Sequence, residues 1–150
     1  MKFKFVLLTF VFLIISCRSK KATPTMIVVE SSKVEPVKKN RAFDLGTRLL
    51  ESCNTSRFKA FSKEEATERV IQNGTPDKIS ATCHKINFRN GKFLGLKLID
   101  ITYDQSMDSY RFRYAIDYEK KMFQRELYVT VNADNKVSAI STKEIPRKPM

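Results

Sequence analysis

Three cysteines and one histidine are the side chains of this sequence best suited to covalent, redox or acid–base chemistry: Cys17, Cys53, Cys83 and His84. Cys83 and His84 are adjacent, but neighbouring residues on a helix point about 100° apart. A thiol nucleophile needs its base within hydrogen-bonding reach, so this pair predicts no catalytic dyad. The chemistry of the cysteines therefore depends on the elements that position them.

Cys17 closes a segment with the three zones of an export signal. Two lysines give a positive start, residues 5–15 form an apolar stretch, and Ser16 is small. A membrane-spanning helix needs roughly 20 apolar residues, and this run is shorter. Residues 1–16 are therefore predicted to be a signal peptide.

The sequence Ile-Ile-Ser-Cys at residues 14–17 resembles the lipobox of bacterial lipoproteins. The resemblance implies diacylglycerol on the Cys17 sulfur, cleavage before Cys17 and a lipid-anchored chain in the cell envelope. Asp, the signal that retains many lipoproteins in the inner membrane, does not follow Cys17. The expected location is therefore the outer membrane, facing the periplasm. The alternatives are an ordinary signal peptide cleaved elsewhere and an uncleaved anchor.

Cys53 and Cys83 remain once Cys17 carries lipid, and the envelope is a compartment in which disulfides persist. Both residues lie on apolar helical stripes, so both are expected to point inward. Two alternatives follow. One is a disulfide closing a loop of about 30 residues, worth on the order of 3 to 4 kcal/mol; the other is two buried thiols that pack as small apolar groups.

The composition predicts one basic domain. The chain has 150 residues, 28 of them basic and 16 acidic, and without residues 1–16, which include two lysines, 134 remain with a charge of 26 − 16 = +10. This length fits a single domain. Positive charge attracts anionic surfaces, and in the envelope the expected partners are an acidic protein, acidic glycans or lipid headgroups, whereas the compartment argues against nucleic acid. The alternative is that the lysines are only solvated.

No pattern typical of a cofactor or metal site is present in the sequence. Closely spaced cysteines, paired histidines and the acidic loop of calcium sites are missing, and the four glycines do not form a nucleotide-binding loop. Asp100, Asp104 and Asp108 recur at four-residue steps, but they cross a strand end and a turn. We interpret them as solvated carboxylates and predict no cofactor.

The chain after the signal segment divides into a tether and one domain. Residues 17–40 lack a sustained period and are predicted to form a lipidated tether, with the apolar patch at 26–29 as an alternative edge strand. The single domain, residues 41–145, opens with helical periodicity and a capping box at Ser62–Glu65. The predicted helices are 41–53, 62–72 and 76 to about 90.

The remainder of the domain alternates apolar and polar residues as strands do. The apolar phase switches between Leu98 and Ile99, which predicts a β-bulge near Leu98. Short turns join successive strands, so we expect a four-stranded antiparallel meander with the helices covering one of its faces in an α+β domain. The predicted strands are 92–103, 109–118, 123–132 and 137–143.

This order of elements is similar to that of the cystatin-like and NTF2-like cone folds. The similarity covers about residues 41–144, with a long bent strand opening at Gly91-Lys92-Phe93 and a closing hairpin from residue 128 to 140. Many NTF2-like enzymes use an Asp and a His in the mouth of the cone, whereas the single histidine here, His84, is expected to be exposed. The resemblance implies a fold, and no functional residue carries over.

Two groups of side chains are candidates for contact with a ligand or partner. Arg125 shares the parity of the apolar residues of its strand and should point to the covered face, where a guanidinium needs a carboxylate, a position at the rim or a ligand anion. On the opposite face, Arg113 is expected opposite Tyr128, and Arg111 opposite Thr130. This basic, aromatic-flanked face would bind an acidic partner or headgroups, unless its charges only pair across the strands.

These observations favour a membrane-anchored, non-enzymatic envelope lipoprotein whose α+β domain binds a protein partner or a small ligand. One alternative is a small-ligand hydrolase or isomerase that uses the cone pocket, with Asp100, Tyr114 or Arg125 inside it. Another is a toxin-immunity lipoprotein. An enzyme would show a deep pocket lined by convergent polar groups, whereas a binding module would show a filled core.

Overall fold

The structure is a computed structural model that describes residues 26–146. The predicted signal peptide, the lipid-attachment residue Cys17 and the first part of the predicted tether lie outside the described residues. Between residues 26 and 146, no helix has the length and apolarity needed to cross a membrane.

The described chain is an α+β domain, as predicted, with three helices and one antiparallel sheet whose strands follow in sequence order. The helices are α1 Pro36–Thr55, α2 Glu68–Asn73 and α3 Pro76–Asn90, and a 3-10 turn occupies Ser31–Lys33. The strands are β1 Met26–Val28, β2 Phe93–Asp104, β3 Ser109–Tyr118, β4 Gln124–Val131 and β5 Val137–Ile145.

The sheet has five strands, so the prediction of four was wrong. The additional strand is β1, the edge strand that was the alternative for the apolar patch at 26–29, and it pairs antiparallel with Thr102–Asp104 at the end of β2. The Met-Ile-Val sequence of β1 suits a strand, and the end of β2 offers it a backbone edge. Ordered structure therefore begins inside the segment predicted as a tether.

Helix α1 begins at Pro36, five residues before the predicted start at 41. Proline fits the first turn, where its missing amide is not needed, and the helix ends at Thr55, followed by Ser56 in a left-handed conformation with a φ of 54°. Gly46 lies where α1 crosses the sheet, and a Cβ there would come within 2.6 Å of Leu127 Cδ2. Glycine at this position therefore allows α1 to pack closely on β4.

The segment 62–66 departs from the prediction of a helix beginning at Ser62. Glu65 accepts the Ser62 amide at 3.0 Å, as a capping box requires. However, the helical turn stops there because Ala66 forms an isolated parallel bridge with Val137, and α2 begins only at Glu68. A tertiary contact to β5 overrides the local helix signal.

Glu65 also holds this segment to α1 through Arg48. The two guanidinium nitrogens of Arg48 contact its carboxylate at 2.6 and 3.2 Å. These hydrogen bonds are the main reason that the pKa of Glu65 is lowered from its ordinary value of 4.5. Because the pKa of Glu65 is lower in the folded than in the unfolded chain, its charged form stabilises the fold at any pH above the ordinary pKa. This stabilisation is lost as the pH falls from the ordinary pKa through the lower folded-state pKa.

We expect Glu65→Gln to lower the free energy of unfolding at neutral pH by roughly 1 to 2 kcal/mol, because a charged hydrogen bond in a partly exposed site is lost. The variant should also lose less stability than the wild type on acidification below the ordinary carboxylate pKa. Urea unfolding across the acid range measures both effects. Glu51→Gln, on the exposed face of α1, is the matched control, and equal acid sensitivity of Glu65→Gln and the wild type would contradict the assignment.

Strand β2 contains two irregularities. A register shift between Leu98 and Asp100 confirms the predicted bulge, and a second shift between Phe93 and Gly95 was not predicted. At this second shift, Phe93 is buried and Leu94 is exposed. Each shift reverses the alternation of side chains between the two sheet faces.

The core lies between the helices and one face of the sheet. Its centre consists of side chains from β2 to β5 that are fully or almost fully buried: Ile101, Phe112, Leu127, Val129, Val131 and Val137. Helix α1 packs against these strands with Ala42, Leu45 and Leu50. All of these residues lie within the described range, so residues 26–146 contain their own core, and the opposite sheet face consists of the outward-pointing residues of the same strands.

Candidate functional site

The outward-pointing face of the sheet, called here the open face, carries the predicted partner-contact residues. Arg113 lies opposite Tyr128, and Arg111 lies opposite Thr130, so the predicted register of these two strands is correct. On the other side of β3, Arg113 lies opposite Asp100. The alternation of β3 places its five core residues on one face and its arginines on the other.

Arg113 is the centre of a charge network on the open face. One of its terminal nitrogens contacts Asp100 Oδ2 at 2.5 Å, and the other lies 3.6 Å from Glu126 Oε2. The hydrogen bond to Asp100 is the main reason that the pKa of Arg113 is raised. Two carboxylates therefore balance this guanidinium, which argues for a structural role rather than a free cation.

Tyr128 belongs to the same network. Its hydroxyl donates a hydrogen bond to Glu126 Oε2 at 2.6 Å. This bond is the main cause of the raised pKa of Tyr128, since the phenolate would lose it. The ring of Tyr128 is partly exposed, so its apolar surface is presented next to a network whose polar atoms are largely satisfied.

The open face is close to neutral, not basic as predicted. Besides Arg113, its strands contribute three exposed cations, Lys97, Arg111 and Lys143. Against these four positive charges stand the four carboxylates of Asp100, Asp104, Asp117 and Glu126, which gives 4 − 4 = 0. Arg111 is the most central of the exposed cations, because it lies on the middle strand between two threonines.

Arg125 points to the covered side of the sheet near the start of β4. It forms an ion pair with Glu144 there, which is one of the predicted alternatives. Its terminal nitrogens contact Glu144 Oε2 at 3.4 Å and Thr142 Oγ1 at 2.9 Å. Glu144 also accepts Arg89 from α3, at 3.2 Å. Two guanidinium groups therefore share one carboxylate, and the Arg89 group lies 4.3 Å from the centre of the Phe123 ring.

The residues suggested for a catalytic cone pocket do not converge. Asp100 lies on the open face, because the bulge after Leu98 reverses its direction, whereas Arg125 lies on the covered face. Tyr114 is in the core, stacked on Phe112 with ring centres 6.5 Å apart, and burial raises its pKa. The three residues therefore lie in three separate environments and cannot act on one substrate.

Cys53 and Cys83 are joined by a disulfide in the structure. It connects the last turns of α1 to the middle of α3, with the Cα atoms 4.8 Å apart. Asn87, one turn further along α3, donates a hydrogen bond to the carbonyl of Cys53 at 2.6 Å. The covalent link and this hydrogen bond together fix α3 against α1.

A cleft of about 350 Å³ lies beside the disulfide and was not predicted. Its lining includes Asp77, Ser80 and His84, which share one side of α3 by their spacing of three and four residues. His84 is exposed, as predicted. No side-chain hydrogen bond links these three residues within the described chain, so the nucleophile–base contact of a hydrolase is not formed. The spacing of Asp77, Ser80 and His84 along α3 is the sequence signal that could have placed these residues on one side of the helix.

The described residues contain no group of three or more histidine, cysteine or acidic side chains arranged to hold a metal ion. Comparison of the chain with protein-family models, with curated proteins and with solved structures gives no match.

Proposed function

We propose that this chain is a lipid-anchored, non-enzymatic protein of the bacterial envelope, and that its α+β domain binds a protein partner through the open face of the sheet. The proposal combines the lipobox at residues 14–17 with the geometry of the domain. It includes a cystatin-like or NTF2-like arrangement, which is supported by a long helix packed on one face of an antiparallel sheet with a bulged first long strand.

The observation that carries the proposal is the filled core. In a cone-shaped enzyme, the space between helix and sheet holds the substrate. Here Phe112 and Leu127 are 0% exposed and Tyr114 is 3% exposed, so large side chains occupy that space. A domain with a filled core presents its surface to partners, and the open face is its broadest surface free of helices.

The open face has the chemistry of a protein-binding surface. Tyrosine and arginine are enriched where proteins meet, and here Tyr128 and Arg111 flank the balanced Arg113 network. The nearly neutral charge of this face favours a partner recognised by shape and hydrogen bonding over one recognised by long-range attraction.

The anchor would keep this domain near its membrane. The chain from Cys17 to the first described residue, Met26, is only 26 − 17 = 9 residue steps long. Nine residues reach at most about 30 Å, which is comparable to the size of the domain itself. A partner bound to the open face would therefore be held close to the membrane surface.

Site-specific photocrosslinking in native membranes tests the proposal. A photoreactive residue at Ser141, which is exposed on the open face, should give a discrete protein adduct. The same residue at Gln72, exposed on α2, is the control and should give none. Arg111→Glu should reduce the adduct formed from Ser141. Absence of an adduct, or equal adducts from both positions, would overturn the assignment of the open face.

A further inference from the structure

The carboxyl end of α3 and the turn between β3 and β4 form one end of the domain, called here the basic tip (residues 85–92 and 117–123). Lys120 binds both parts together, since its amide donates to the Asn90 carbonyl and its Nζ donates to the Phe88 carbonyl, each at 2.9 Å. Glu119 accepts the amide of Lys92 at 2.9 Å. These contacts make the basic tip a fixed surface rather than two independent loops.

Large apolar side chains project from the basic tip. Phe88 is 80% exposed and Met122 is 67% exposed, and Leu94, two residues beyond the tip, is 57% exposed. Single exposed apolar residues are common on soluble proteins. Here three lie at one end of the domain, and they come from α3, from a turn and from the start of β2.

The same two segments carry an excess of basic residues. The basic tip contains Lys85, Arg89, Lys92, Lys120 and Lys121 against Asp117 and Glu119, so its charge is 5 − 2 = +3. When Glu144, which contacts Arg89, is counted as well, the net charge of the basic tip is still 3 − 1 = +2.

The opposite end of the sheet is different. The turn at residues 104–108 has two aspartates and no basic residue, and in the turn at 132–136 one acidic and one basic residue cancel. Among the turns that join the long strands, the positive charge therefore lies at the β3–β4 turn, beside the end of α3.

We propose that the basic tip docks on a phospholipid bilayer with anionic headgroups, placing Phe88 and Met122 at the boundary between headgroups and acyl chains. Apolar side chains within a basic surround are the features that hold peripheral proteins in this interface. Each Lys or Arg near an anionic surface adds about fivefold to the affinity. The basic tip consists of only a helix end and a turn. A stable protein interface needs about 800 Å² on each partner, whereas insertion into a bilayer needs only a few exposed side chains.

This proposal does not rest on lipidation of Cys17, but the two would together set the orientation of the domain. β1 starts opposite Asp104, at the far end of β2 from the basic tip, and eleven residue steps along a strand span about 36 Å. The nine residues before Met26 reach at most about 30 Å. Attachment of both ends to one bilayer would therefore hold the strands inclined to the membrane surface rather than upright.

Vesicle binding by residues 18–150, which include every described element and lack the lipid, tests the proposal. Sedimentation with vesicles of zwitterionic phospholipid, alone or with added anionic phospholipid, should show binding only to the anionic vesicles. Lys92→Glu should weaken this binding at least about fivefold. Lys136→Glu at the opposite end changes the net charge equally and should weaken it much less. Equal losses in the two variants would overturn the proposal, because they would indicate attraction to the protein as a whole.

Insertion is tested by a second pair of variants. Phe88→Ser with Met122→Ser should lower the affinity about tenfold, whereas Met107→Ser, which removes a side chain that is 72% exposed at the opposite end, should not. Thermal unfolding should be unchanged in all of these variants, since each replaced side chain is exposed or, at Lys136, partly exposed. The proposal would be overturned if the wild-type chain did not bind anionic vesicles, or if the Phe88→Ser/Met122→Ser variant bound them as tightly as the wild type. An acidic protein would then be the partner for this end.

Discussion

Replacement of Cys17 by alanine is expected to abolish lipid attachment completely and to shift the protein away from the membrane. The wild-type mature chain should begin at residue 17 and carry the mass of a diacylglycerol group, because the sequence at 14–17 resembles a lipobox. Each buried methylene of an acyl chain contributes about 0.8 kcal/mol to membrane binding, so no other single substitution in the chain should change its location as much. Mass spectrometry of the amino-terminal peptide and detergent phase partition measure these effects.

The other two cysteines supply the matched control for this experiment. The double variant Cys53→Ala/Cys83→Ala also removes sulfur, but it should keep both the lipid and the amino terminus at residue 17. A wild-type chain that retains residues 1–16 without lipid would contradict the lipobox assignment. So would a Cys17→Ala chain that still carries lipid. Neither result would affect the vesicle test of the basic tip, since that test uses a chain without Cys17.

Features with a local or periodic signal were predictable from the sequence. The phase switch between Leu98 and Ile99 predicted a bulge, and the structure has a register shift there. The short β3–β4 turn set the register that places Arg113 opposite Tyr128. Pro76 marked the first residue of α3. In each case the signal and its structural consequence are separated by a few residues or by one tight turn.

Features that depend on distant contacts were not predictable. An edge strand at 26–29 was one of the alternatives, but β1 pairs with a segment more than 70 positions later in the chain, so nothing in its neighbourhood fixes its partner. The same reason explains segment 62–66, where the capping hydrogen bond forms as expected but the bridge to Val137 ends the helical turn.

The candidate site was most sensitive to the exact position of a bulge. Side chains alternate between faces with a period of two, so a shift of one residue reverses every assignment beyond it. The bulge after Leu98 turns Asp100 to the open face. There its carboxylate binds Arg113, which removes it from the pocket of the alternative enzyme and lowers the charge of the face expected to be basic. The same bulge, which the phase switch predicted, therefore decides the role of Asp100 in both functional alternatives.

Loss of the Cys53–Cys83 disulfide is expected to lower the free energy of unfolding by about 3 to 4 kcal/mol, because the bond closes a loop of about 30 residues in the unfolded chain. The effect should be concentrated in α3. This helix of 15 residues buries only Cys83 and Asn90, so few apolar contacts would hold it once the covalent link to α1 is absent. Urea unfolding of the wild type with and without reductant, compared with Cys53→Ala/Cys83→Ala, measures the stability difference.

Hydrogen exchange separates a local effect on α3 from a general one. In the double variant, the amides of α3 should lose protection before those of β3 and β4, whose side chains form the buried centre of the sheet. Detachment of α3 would also release the Asn87 hydrogen bond to Cys53 and the Lys120 hydrogen bond to Phe88. It should therefore weaken binding of the basic tip to anionic vesicles without any change in its charge. Unchanged unfolding in reductant, or a non-reduced mass equal to that of two free thiols rather than about 2 Da lower, would show that the cysteines are not bridged and that α3 is held by packing alone.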